Sequence, residues 1–230
     1  YYIDWLRVLV VLTLIPFHAA LTYLRYGVVP IKASVSGLSA LPFLIFEVPL
    51  GDFFMTLLFF VSGVASWYSL NNRNAGRYIL ERLYKLMRPF GLGFLLLCPI
   101  TAYFQALYEG FKGGFIDFLL RFFWYDTFHY HGYMHLWFLF YLFVFSVICV
   151  PLFNRWKSDE SRIGRISAFF SKGNRLLLPI GFIILLEVCL RPLFNSGAYV
   201  FIGDWANVAV YLSLFIFGYI YAADLQIQEK

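Results

Sequence analysis

Long apolar segments recur along the chain and limit the folds that it can adopt. A transmembrane helix needs about 20 mostly apolar residues to cross a hydrocarbon core of roughly 30 Å. Hydrophobic residues make up 61% of the chain and charged residues only 13%, too few to cover a soluble domain. The sequence predicts an all-α, polytopic transmembrane bundle in one membrane domain over residues 1–230, with about six spans near 5–24, 51–70, 88–107, 135–153, 176–193 and 205–223.

The basic residues are concentrated in alternate connections. Clusters of Lys and Arg follow the second and fourth predicted spans, within residues 73–88 and 155–175. Loops rich in Lys and Arg stay on the cytoplasmic side of a membrane, so the N-terminus is predicted to be cytoplasmic. The net charge of +5 is therefore explained by membrane topology. We expect the lipid bilayer as a partner and no nucleic acid.

The first predicted span contains two ionisable residues, Arg7 and His18. Eleven residues of α-helix advance about 16 Å and turn through about 1,100°, so both side chains are expected on one face. A His held neutral by desolvation can accept a proton from a hydroxyl, and an Arg can bind phosphate or a carboxylate. A purely structural role is equally open, in which Arg7 extends to the interface and His18 hydrogen-bonds a neighbouring helix.

The connection after the second span carries a candidate donor site. Helical spacing spreads Arg77, Arg82, Lys85 and Arg88 over about half of a cylinder. These side chains can bind the phosphates of a nucleotide-bearing donor such as coenzyme A, because Arg forms bidentate contacts with phosphate oxygens. Topology alone also accounts for basic residues at this position.

Three histidines, His129, His131 and His135, precede the fourth span. Their spacing does not fit the usual zinc signatures, and no Cys or acidic residue lies at a matching interval, so no metal site is predicted. His135 and Trp137 lie where the helix is predicted to begin. They are candidates for binding an acceptor sugar by hydrogen bonding and stacking.

Acidic residues mark the predicted outer ends of the last two spans. Glu187 lies four residues before Arg191, a spacing that predicts an ion pair within one helix. Asp204 precedes the sixth span, where an N-cap role is equally open. Glu187 and Asp204 are therefore candidates for substrate binding.

Several of these segments resemble the acyltransferase 3 family of membrane O-acyltransferases, and within it the glucans biosynthesis protein C type. The similarity rests on Arg7 and His18 within IDWLRVLVVLTLIPFH and on FFVSG at Phe59 to Gly63. It extends to the basic segment ending in RPF, to HLWFLFYLFVFS, and to DWAN before the sixth span. Family members usually have about ten spans of about 20 residues each, so we expect this chain to be part of a longer domain.

The resemblance implies an enzyme of the bacterial inner membrane. Such an enzyme transfers a succinyl or acetyl group from cytoplasmic acyl-coenzyme A to a hydroxyl of a periplasmic glucan or other surface polysaccharide. It implies that His18 is the catalytic base and that Arg7 supports donor binding or the integrity of the site. No permanently bound cofactor is expected, because acyl-coenzyme A is a donor substrate.

Two other functions stay open at this point. In a transporter or lipid flippase, His18 and Glu187 would line a path for protons or substrate. A polytopic scaffold would catalyse no reaction and would tolerate substitution of His18 and Arg7. Consumption of a thioester distinguishes the enzyme from both.

Overall fold

The computed structural model of the protein describes residues 2–24, 32–33, 35–126, 136–158, 160–170, 172–194 and 203–228. These residues form helices and their connections, and no β-strand occurs among them. The predicted all-α class is therefore confirmed. The helices are α1 Tyr2–Leu21, α2 Leu41–Asn71, α3 Ala75–Tyr108, α4 Phe115–Arg121, α5 Trp137–Lys157, α6 Glu160–Phe170, α7 Leu178–Leu190 and α8 Trp205–Gln228.

Within the described residues, five helical segments are long and apolar enough to cross a membrane. They are Phe53–Asn71, Ala75–Tyr108, Trp137–Lys157, Gly173–Leu190 and Trp205–Ala223. The first predicted span coincides with α1, in which Val8–Leu21 is a further apolar helical stretch among the described residues. The protein is a polytopic helix bundle.

Helix α3 contains two π turns, and each ends just before a proline. The turn Leu83–Met87 is followed by Pro89, and the turn Gly93–Leu97 is followed by Pro99. Proline has no N–H to donate, and its ring crowds the carbonyl four residues earlier. A wider turn at that place accommodates the ring without ending the helix.

The chain forms two compact units. The first contains Tyr1–Phe54 and Met87–Leu139. In its core, Cys98, Ala102 and Ala106 of α3 pack against Phe118 of α4 and Phe122. The small residues on α3 leave room for the two rings, so the packing of the short α4 against α3 is built on aromatic contacts.

The second unit contains Met55–Leu86 and Phe140–Lys230. Its central feature is a close crossing of α2 and α8 at Gly63 and Gly218. A Cβ atom at Gly63 would overlap the carbonyl oxygen of Phe215, and one at Gly218 would overlap that of Phe60. Two glycines facing each other therefore allow backbone contact between the helices, a common device of membrane bundles.

Aromatic pairs fill the space on either side of this crossing. The ring of Phe59 stacks on Tyr211 with centroids 4.6 Å apart, and Phe153 of α5 stacks on Tyr219 at 3.7 Å. The Lys157 ammonium donates to the carbonyl of Leu70 at 2.6 Å, where α2 nears its end. Carbonyls in the last turn of a helix lack intrahelical donors, so this bond ties α5 to α2.

Candidate active site

His18 lies on α1, two residues after Pro16, and its side chain is half-buried. Its Nδ1 atom is 2.7 Å from the carbonyl oxygen of Leu14. A carbonyl can only accept a hydrogen bond, so Nδ1 carries the proton. In the neutral imidazole the lone pair is then on Nε2. The local helix geometry thus selects the tautomer in which Nε2 accepts a proton.

The neighbouring Phe17 anchors this part of α1 in the first unit. Its ring meets His18 edge-on, with centroids 5.3 Å apart, and meets Phe54 edge-on at 5.7 Å. Gly51 lies beside the same ring, since a Cβ there would stand 3.5 Å from it. These contacts restrict rotation of α1 about its axis and so hold the direction of the imidazole.

Arg7 lies in the same helix as His18, eleven residues earlier. Its side chain lies outside the described part of the structure. The role of Arg7 beside His18 therefore stays a prediction from helical spacing and from the resemblance.

In the second unit, Glu81 is the centre of the basic segment. Its carboxylate pairs with Arg73 at 3.0 Å, with Arg77 at 3.3 Å and with Lys85 at 3.6 Å. Lys85 lies four residues after Glu81, a spacing at which side chains meet on one face of a helix. The side chains of Arg77 and Lys85 are exposed, at 71% and 73%. Exposed pairs of this kind are weak and exchange readily for other anions.

Arg82 has a different environment from Arg77 and Lys85. Its guanidinium donates to the Ser66 hydroxyl at 3.0 Å, and Tyr78 donates to the same oxygen at 2.9 Å. Ser66 in turn donates to the Ser62 carbonyl at 2.8 Å. A hydroxyl has one donor and two acceptor sites, so that of Ser66 is fully used. Arg82 thus helps to fasten α3 to α2.

Arg88 follows the π turn Leu83–Met87 and belongs to the first unit, whereas Arg77, Arg82 and Lys85 belong to the second. A π turn changes the angular register of the helix. The single basic face predicted from regular helical spacing is therefore interrupted before Arg88. The structure groups Arg77 and Lys85 around Glu81 and separates the role of Arg82 from theirs.

A chain of polar groups joins α7 to the start of α8. Arg191 forms a two-pronged ion pair with Glu187, in which the Nε to Oε2 distance is 2.7 Å. The same guanidinium donates to Asn207 Oδ1 at 3.0 Å, and the Asn207 amide donates to Asp204 Oδ2 at 2.8 Å. The ion pair between Glu187 and Arg191 confirms the prediction from their spacing.

The four residues in this row of polar groups differ in how far they are buried. Asp204 is 2% exposed and Asn207 6%, whereas the Glu187 and Arg191 side chains are about one-third exposed, at 36% and 33%. The hydrogen bond to Glu187 raises the pKa of Arg191, against the opposing effect of burial. Among the described residues, Asp204 Oδ1 has no hydrogen-bond partner. A buried acceptor of this kind can bind a hydroxyl or amide donor.

Trp137 begins α5 and is 7% exposed, so little of its indole surface is open to a sugar. His135, like His129 and His131, lies outside the described residues. The acceptor-binding roles of His135 and Trp137 stay predictions.

Several residues of these clusters, among them Asn207 and Ser66, were not named as site residues from sequence. Asn207 links Arg191 to Asp204, and Ser66 joins Tyr78 to Arg82. Ser62 and Ser66 are four residues apart in an apolar span, and a hydroxyl pair at helical spacing could have signalled a polar contact between helices.

Comparison with known protein families identifies the family of this chain. The acyltransferase domain of the acyltransferase 3 family matches residues 1–228. Neither the curated proteins nor the solved structures contain a match to this chain. The matched region includes α1 with His18, the basic segment and the polar chain at α7 and α8. The chain belongs to the acyltransferase 3 family and is a multi-pass membrane acyltransferase.

Proposed function

We propose that this acyltransferase takes a succinyl or acetyl group from acyl-coenzyme A and transfers it to a hydroxyl of a periplasmic or cell-surface glycan. The family match supports acyl transfer. The resemblance to the glucan-modifying type supports the donor, the acceptor and a place in the bacterial inner membrane. His18 acts as the general base, and Arg7 supports donor binding.

The observation that carries this assignment is the hydrogen bond from His18 Nδ1 to the Leu14 carbonyl. A general base for a hydroxyl needs an unprotonated nitrogen held in a defined direction. In the neutral imidazole, the bond keeps the proton on Nδ1, so the lone pair is on Nε2, and it also orients Nε2. It lies in the helix that carries the Arg7 and His18 pattern.

In the proposed reaction, Nε2 of His18 takes the proton of the acceptor hydroxyl. The hydroxyl oxygen attacks the thioester carbonyl carbon, the new C–O bond forms, and the C–S bond of the donor breaks. The imidazolium then gives its proton to the departing coenzyme A thiolate. The products are a glycan ester and free coenzyme A, and His18 regains its starting state.

The coenzyme A phosphates are assigned to Arg77, Arg82, Lys85 and Arg88. Arg77 and Lys85 are the best placed of these, because they are exposed and share one carboxylate, Glu81. A phosphate can replace that carboxylate as their partner and accept several charge-assisted bonds. Arg82 contributes less directly, since it is bonded to Ser66.

The acceptor is assigned to the polar chain of α7 and α8, with His135 and Trp137. Glu187, about one-third exposed, offers carboxylate oxygens to sugar hydroxyls, and the buried Asp204 Oδ1 has no hydrogen-bond partner among the described residues. Arg191 already pairs with Glu187. It would have to exchange that partner to bind a succinyl carboxylate, which favours a role in the acceptor site over selection of the acyl group.

The experiment is the mass of the glycan from cells that express the intact gene, compared with cells that lack it. An increase by one acetyl or one succinyl unit, with release of coenzyme A thiol in membranes, supports the proposal and identifies the acyl group. A transporter would move substrate without consuming the thioester. Unchanged glycan mass together with no glycan-dependent thiol release would exclude the proposed reaction.

A further inference from the structure

Helix α6 is a short amphipathic helix in the connection predicted to be cytoplasmic. Ile163 and Ser167 on one face are buried, each 1% exposed, whereas Arg162 and Arg165 are exposed. Because this face is buried inside the protein, Arg162 and Arg165 are left on the exposed side of the helix, and Arg residues close to a membrane attract anionic lipids. The reaction proposed above assigns no role to α6.

An apolar cavity of about 690 Å³ lies beside this helix, within the second unit. Its walls come from α2, α6, α7 and α8, and include Phe60, Phe170, Ile183 and Phe217. Cavities of roughly 300–1,000 Å³ are large enough for a small ligand. No residue of α7 is buried, as expected for a helix that contacts lipid. The cavity therefore suits a hydrocarbon chain.

The exposed Arg residues and the apolar cavity lie next to each other at the end of α6. Phe170 lines the apolar cavity and also a second groove that contains Arg162, Arg165 and Phe169. The Arg175 guanidinium lies over the Phe169 ring, 4.5 Å from its centroid. Positive charge thus stands at one end of a hydrocarbon-sized space. That combination matches an amphiphile with an anionic head and an apolar tail.

We infer that this region binds an anionic phospholipid, with its phosphate at Arg162 and Arg165 and one acyl chain in the cavity beside Phe170. Basic pockets between transmembrane helices on the cytoplasmic side recognise anionic headgroups. The site is distinct from the Glu81 cluster assigned to coenzyme A. Its existence does not depend on the proposed reaction.

The headgroup is tested by native mass spectrometry of the purified chain with phosphatidylglycerol or phosphatidylcholine of identical acyl chains. We expect preferential retention of phosphatidylglycerol, weakened about 25-fold in R162Q/R165Q, from about fivefold for each of the two basic residues removed near an anionic lipid. The variant K112Q/R121Q removes the same charge from the α3–α4 connection and from α4, and should stay within about twofold of wild type. Equal retention of the two lipids, or equal losses in both variants, would overturn the inference.

A charge-conserving variant covers the case in which R162Q/R165Q does not fold. R162K/R165K keeps both charges and should retain most of the preference for phosphatidylglycerol. Loss of that preference in the folded Lys variant would contradict a site based on positive charge, because Lys also binds phosphate as a point charge.

The cavity is tested with Ile183→Trp, which fills it, against Val188→Trp, which adds the same bulk on α7 outside the cavity lining. We expect the first to lower phosphatidylglycerol retention by at least tenfold and the second to leave it unchanged. Equal retention in both would exclude the cavity as the acyl-chain site. Displacement of the lipid by saturating acetyl-coenzyme A would assign the basic groove to the donor and also overturn the inference.

Discussion

The substitution Gly63→Ala tests the packing on which the second unit depends. A Cβ at this position would overlap the Phe215 carbonyl oxygen and stand 3.0 Å from the Tyr219 amide nitrogen. The reciprocal Cβ at Gly218 would stand 3.1 Å from the Val64 nitrogen. Since the obstructing atoms belong to backbone, no side chain can turn away, and the helices must separate.

We expect Gly63→Ala to lower the free energy of unfolding by about 3 kcal/mol, at the upper end of the usual 1–3 kcal/mol for overpacking. Separation also weakens aromatic contacts such as Phe59 on Tyr211. The assay is reversible unfolding in mixed micelles. Gly181→Ala is the matched control, because its Cβ meets no atom within 4 Å in the interior of α7. The control should be neutral or stabilising by up to about 1 kcal/mol. If Gly63→Ala behaved like Gly181→Ala, the close crossing would be refuted.

Three further predictions concern polar groups. Asn207→Leu removes the amide that donates to the buried Asp204 and should lower stability by about 1–3 kcal/mol; an unchanged unfolding midpoint would contradict this. Ser66→Ala leaves the buried Tyr78 hydroxyl without its acceptor and should cost a similar amount in the same assay, with a smaller loss for Ser66→Thr. Burial raises the pKa of the Glu47 carboxyl above its ordinary value of 4.5. The protonated carboxyl therefore stabilises the folded state at low pH, and this contribution to the free energy of unfolding is lost as the pH rises through the raised pKa. Glu47→Gln should therefore gain thermal stability relative to wild type between pH 4 and pH 7, and a pH-independent difference would exclude this effect.

The all-α class and the presence of several membrane-length helices could be predicted because hydropathy over about 20 residues is a strong signal. The ion pairs of Glu81 with Lys85 and of Glu187 with Arg191 were also predictable, since i, i+4 neighbours on a helix meet whatever the fold. Both pairs depend only on local geometry.

Contacts between helices were harder to predict from the sequence. Ser66 receives hydrogen bonds from residues 12 and 16 positions later, across the turn between α2 and α3. Helical periodicity does not extend through such a turn. The π turns before Pro89 and Pro99 also change the register of α3, so a face drawn at 3.6 residues per turn is wrong beyond them. The tautomer of His18 depends on hydrogen bonds of its side chain, such as that to the Leu14 carbonyl, which sequence spacing cannot supply.

The central claim is that His18 is the general base of acyl transfer. Its most direct test is the initial rate of glycan-dependent coenzyme A thiol release by His18→Ala, with Thr13→Ala as control on the same helix. Thr13 is also within α1, and its hydroxyl bonds to the Leu9 carbonyl. General acid–base catalysis contributes about 10²–10⁴ in rate. We therefore expect His18→Ala to lose at least about 100-fold and Thr13→Ala to stay close to wild type. Transfer at the wild-type rate by folded His18→Ala protein would contradict the assignment.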